Sequence, residues 1–65
     1  MTSVSSSTIK SVGHENGTLY VKFNNNAVYS YSGVSKDTYD DLMAAGSVGS
    51  YFKQNIEGSY SYKKL

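Results

Sequence analysis

The sequence predicts an α+β fold, a three-stranded antiparallel meander followed by two short helices packed on one face. Three observations carry that prediction. Thr18 to Phe23 alternates apolar and polar residues with a period of two. Asn16-Gly17 and Asn24-Asn25-Asn26 bracket it with residues that accept the left-handed backbone of tight turns. Farther along, two stretches begin at serine, end at glycine and place apolar residues at helical spacing.

The first strand falls in Thr8 to His14. Its apolar residues, Ile9 and Val12, are three apart, so an unbroken strand would not keep them on one face. A bulge or bend near Gly13 would reconcile them. Asn16-Gly17 is the strongest short hairpin signal in the chain. In the next strand Leu19, Val21 and Phe23 face one way, Tyr20 and Lys22 the other. Ala27 to Ser32 returns after the asparagine turn. Residues 1–7 are dominated by serine and read as a frayed end.

Ser35 is a good helix cap, with Asp37 in the first turn where the helix dipole favours an anion. Val34 and Tyr39 match a hydrophobic staple, and Tyr39, Leu42 and Met43 form the apolar stripe. Gly46 is expected to end the helix in a left-handed conformation. Ser47 caps a second helix at once; Val48, Phe52 and Ile56 share a line, Tyr51 lies beside it, and Gly58 ends it. The tail from Tyr60 to Leu65 alternates again, as a short strand or a segment lying along the sheet.

The length of the asparagine turn decides where Tyr29 and Tyr31 point. A three-residue loop pairs Val21 with Tyr29 and Leu19 with Tyr31, so both phenols join the aliphatic face. A two-residue loop sends them to the face of Tyr20 and Lys22, as a stacking surface. Polarity favours the first. The second would put Ser30 and Ser32 on the core side, where an unpartnered serine costs roughly 1–3 kcal/mol.

The totals bound the rest. At 65 residues the chain is one domain, 1–65, and buries only about 60% of the surface its unfolded form exposes. It has no cysteine, so neither disulfides nor thiolate metal sites support it. Seven tyrosines and two phenylalanines supply large apolar area in a thin core. The net charge of +1 gives no broad basic field. No apolar run approaches the ~18 residues of a membrane span. The opening MTSVSSSTIK has no apolar secretory core, so the expected compartment is the cytoplasm.

Catalytic chemistry finds little support. His14 is the only histidine, and nothing shows metal-ligand spacing, so no metal or cofactor is expected. No Gly-x-Ser-x-Gly elbow accompanies the twelve serines. Asp40 and Asp41 are adjacent, hence about 100° apart on a helix, and read as a solvated face. The chain is therefore not expected to be an enzyme. The best anion site is the start of the second helix, at Ser47, Gly49 and Ser50; the plainer reading is a tight turn in which Gly49 permits close packing. Lys22 lies beside Tyr20, Lys10 could join them, and Lys63 and Lys64 could form a basic end with Lys53; separate solvated lysines are the plainer alternative.

The ordered set of residues resembles the KTSC domain, a family named for the C-terminus of some lysyl-tRNA synthetases and marked by a central Tyr-x-Tyr. Here that motif is Tyr29-Ser30-Tyr31, preceded by Thr18-Leu19-Tyr20-Val21-Lys22-Phe23 and followed by Gly33-Val34. Ser7, Ile9 and Ser11-Val12-Gly13 agree before it. Tyr39, Leu42, Ala45, Ser47, Gly49, Tyr51-Phe52, Asn55-Ile56, Gly58 and Tyr60 agree after it. The likeness runs from about Val4 to Leu65. His14 stands where the family usually has tyrosine, Ser35 where it has proline, and Asn25-Asn26 where it has a glycine-containing turn.

The resemblance implies the fold, and through the synthetase it implies RNA binding. It also implies a stand-alone protein of a bacterium or phage. Two functions follow as expectations. The first is a non-enzymatic module for RNA or another single-stranded nucleic acid, using Tyr20, Lys22, Lys10, Lys53, Lys63 and Lys64. The alternative is a protein-interaction module that binds a host protein or itself as a homodimer, as an accessory or inhibitor protein. That alternative includes a small anionic or nucleotide ligand at the Ser47 helix start.

Overall fold

Both hairpin turns take the backbone their residues favour. Asn16 and Gly17 have φ of 52° and 76°, a two-residue turn with both central residues left-handed. In the second turn Asn26 N–H donates to Phe23 O at 2.9 Å, Phe23 N–H donates to Ala27 O at 2.9 Å, and Asn26 takes φ 71°. This is the three-residue loop, so Val21 stands opposite Tyr29 and Leu19 opposite Tyr31.

The computed structural model describes residues 2–4 and 6–65. The elements in order are β1 (Thr2–Ser3), β2 (Ile9–Glu15), β3 (Thr18–Phe23), β4 (Val28–Ser32), α1 (Lys36–Ala44), α2 (Val48–Asn55) and β5 (Tyr62–Lys64). The strands form one antiparallel sheet in the order β1-β2-β3-β4-β5. The expected α+β fold is the observed one, with the tail as a short fifth strand.

The sheet differs from expectation at its start. Thr2 and Ser3, read as frayed, pair with Val12 and Ser11. Val4 N–H donates to Lys10 O at 3.1 Å, and Val4 packs against the core. The Ser6 hydroxyl accepts from the amides of Thr8 and Ile9 at 3.1 and 3.2 Å, which turns the chain into β2. The same expectation for Met1 and Ser5 lies outside the described residues. The bulge is also displaced. It lies at Lys10, where the register shifts between Ile9 and Ser11, rather than near Gly13. That extra residue lets Ile9 and Val12 both reach the core, each fully buried.

Ser35 and Ser47 cap the helices, their hydroxyls accepting from Thr38 and Ser50 amides at 3.2 and 3.3 Å. Gly46 is not the left-handed stop the sequence suggests. The first helix ends at Ala45, with φ −66° and ψ 143°, and its N–H donates to Leu42 O at 3.3 Å. The linker is so short that the chain must leave extended to reach the Ser47 cap. Gly58 does turn left-handed after α2, at φ 83°.

The helices cover one sheet face. Leu19, Val21 and Tyr31 from the sheet meet Leu42, Phe52 and Ile56 from the helical layer, all buried. Among the described residues Phe52 is the largest fully buried side chain, and both Phe23 and Tyr31 meet it edge-on at 5.6 and 5.3 Å.

Candidate functional site

The helical layer does not reach the far edge of the sheet, and the aromatic face is progressively uncovered there. Strand pairing places Tyr31 opposite Tyr62 and Tyr29 opposite Lys64, so all four side chains share the helix-side face. Tyr31 is buried, Tyr29 half-buried, and Tyr62 is 65% exposed. Successive rings touch: Phe23 to Tyr29 at 5.6 Å, Tyr29 to Tyr62 at 5.8 Å, and Tyr62 to Tyr31 at 5.9 Å.

These rings line a cavity of about 410 Å³. Asn25 and Ala27 of the asparagine turn close one side, and Glu57 and Gly58 beyond α2 close another. Lys64 completes the lining, so the walls carry one carboxylate and one ammonium. Burial holds the Tyr31 phenol above its ordinary value of 10.0, and the nearby Glu57 charge, Tyr29 and Tyr62 push it further the same way. The phenol is therefore a neutral hydrogen-bonding group at physiological pH.

A second cavity of about 390 Å³ lies between residues 6–8 and the start of α2. It brings together Ser47, Gly49 and Ser50, the predicted anion site, and adds Lys53. Two of its hydroxyls already serve local structure: Ser47 accepts from the Ser50 amide, Ser6 from Thr8 and Ile9. The Ser6 hydroxyl oxygen also lies 3.1 Å from where a β-carbon on Gly49 would stand. Gly49 serves close packing between the N-terminal segment and the helix.

The predicted basic residues are dispersed. Tyr20, Lys22 and Lys63 share the outer sheet face, because Lys22 pairs with Val28, and both Tyr20 and Lys63 pair with Ser30. Lys10 Nζ donates to Asn26 Oδ1 at 3.4 Å, beside the asparagine turn. The expected basic end of Lys53, Lys63 and Lys64 does not form. Lys53 lines the second cavity, and strand alternation sends Lys63 outward and Lys64 into the aromatic cavity.

His14 is occupied structurally. Its Nε2–H donates to Val34 O at 2.7 Å, and its ring stacks on Tyr39 at 5.4 Å. Among the described residues no three carboxylate or imidazole side chains gather to hold a metal ion. Among them, too, no helix is long and apolar enough to cross a membrane.

Sequence reasoning missed Tyr62, Glu57, Phe23 and Asn25 as parts of one site. Only the alternation of the tail hinted at Tyr62; the others meet through pairings far apart in the chain.

A family model for the KTSC domain matches residues 5–60. A search of curated protein sequences finds no match. Among solved structures, the chain is similar to the crystal structure of a KTSC domain protein from Yersinia pestis. The TM-score is 0.93 at 34% identity, covering 97% of this chain and 92% of that one.

Proposed function

This chain belongs to the KTSC domain family, and on that premise we propose that it is a non-enzymatic domain that binds single-stranded RNA. The observation that carries this reading is the aromatic cavity. Its tyrosine faces offer an unpaired base a stacking partner, with Lys64 at hand for a phosphate. A cavity of about 410 Å³ also falls in the usual range for small-ligand sites, roughly 300–1,000 Å³. The proposed stacking place is thus the helix-side rim of the sheet, opposite the outer face that carries Tyr20, Lys22 and Lys63.

Fluorescence anisotropy with a labelled uridine-rich hexanucleotide tests this directly. Binding should weaken as salt rises, with a shallow slope of about 0.7 per phosphate contacted. Tyr62→Ala should weaken it by roughly five- to a hundredfold, the worth of one stacked base. No binding at low salt would refute the proposal.

A second reading is self-association. Tyr62 and Leu65, both large and exposed, sit at or beside the outermost strand β5. Light scattering across concentrations separates it from RNA binding.

A further inference from the structure

We propose that the aromatic cavity selects guanine over the other bases, with the Glu57 carboxylate reading the base edge. This rests on the RNA-binding reading and adds the identity of the base. Glu57 and Lys64 are the charged groups of the cavity lining. An ionised carboxylate only accepts hydrogen bonds, so it demands donors from whatever enters. Guanine presents two donors side by side in the ring plane, N1–H and the 2-amino group, spaced to meet both carboxylate oxygens. Adenine and cytosine each present one amino group next to a ring acceptor. Uracil presents one N–H between two carbonyls, which repel the second carboxylate oxygen. Guanine is therefore the base that satisfies Glu57 in both oxygens.

Glu57 is free for this role. It takes part in no ion pair among the described residues, where Lys36 with Asp40 forms one at 3.2 Å. Its backbone is fixed, since Glu57 N–H donates to Phe52 O at 2.9 Å and Gly58 turns sharply behind it. Its charge reaches inward as far as Tyr31, whose phenol it helps to keep protonated. The opposite charge, on Lys64, lies on the strand paired with Tyr29. One ligand meets all three features: a ring for the tyrosines, a donor edge for Glu57, and a phosphate for Lys64.

The test uses labelled uridine hexanucleotides carrying guanine, adenine, cytosine or hypoxanthine at the third position. The guanine strand should bind roughly five- to a hundredfold tighter than the adenine strand, the discrimination one bidentate pair supplies. The hypoxanthine strand, which keeps N1–H but lacks the amino group, should fall between them. Glu57→Gln should bring the guanine and adenine affinities together, and its melting curve reports whether it folds. Equal affinities for the native protein overturn guanine selection and leave RNA binding standing. A guanine preference that survives in Glu57→Gln also overturns it. Failure of every strand to bind at low salt removes both proposals.

Discussion

Tyr31 meets Phe52 edge-on at 5.3 Å and also contacts Tyr62, whose ring is tilted against it at 5.9 Å. One ring is thus shared between the core and the cavity wall. Substitutions around it should separate stability from the proposed RNA binding, because Phe52 is buried while Tyr62 stands largely in solvent.

Phe52→Ala should remove about 3–5 kcal/mol of stability, the usual result of truncating a buried aromatic. At roughly 0.1 kcal/mol per residue, 65 residues hold about 6–7 kcal/mol, so the variant should lose half of its stability or more. Urea titration followed by circular dichroism measures it. Tyr31→Phe, which keeps the ring, should lose far less; a Phe52→Ala variant with an unchanged urea midpoint would contradict the packing described.

Alkaline pH should destabilise the fold through Tyr31. Its phenol is held above the unfolded value of 10.0, so the folded state binds the proton more tightly. That contribution is complete below pH 10.0 and disappears as pH rises through the folded value. Ultraviolet titration should show a late-ionising phenol that belongs to Tyr31. Tyr31→Phe should lack that late step, and its presence there would place the raised phenol elsewhere.

The glycines should divide by backbone conformation. Gly33 and Gly58 have φ of 76° and 83°, and alanine at either should cost about 1–2 kcal/mol. Gly46 is not left-handed, and no atom crowds its β-carbon position. Gly46→Ala should therefore be neutral or stabilise by about 0.4–1 kcal/mol, by restricting the unfolded chain. Thermal melts of the three variants decide this, and a damaging Gly46→Ala would restore the left-handed cap.

Gly49→Ala pits two effects against each other. Helix propensity favours alanine by about 1 kcal/mol. The new β-carbon would stand 3.1 Å from the Ser6 hydroxyl, which is held by two amides and cannot simply swing away. Crowding should win, with a net loss of up to about 1–3 kcal/mol. A melting temperature raised by Gly49→Ala would show that the N-terminal segment yields easily.

The meander, both turns and both caps were legible because each is set by neighbouring residues. Asn26 and Gly17 specify their turns, and turn length then fixes the face of Tyr29 and Tyr31. What was hidden depends on distant partners. Thr2 and Ser3 are strand only because β2 offers an edge, and nothing in a serine tract announces that. The sequence suggests a bulge near Gly13, yet only an extra residue between Ile9 and Val12 can bring both to one face, and Lys10 is that residue. Gly46 misled because glycine permits the left-handed conformation without requiring it. The cavity was the least legible feature: it joins Phe23, Tyr62 and Glu57 from three separate parts of the chain.

Strand β5 is only three residues long, yet it carries Tyr62 and Lys64 and shields the open side of β4. Its detachment would strip two side chains from the aromatic cavity and, in the same event, leave a bare row of amides and carbonyls ready to template another chain. Loss of the proposed binding site and exposure of an adhesive sheet edge would then share a single cause.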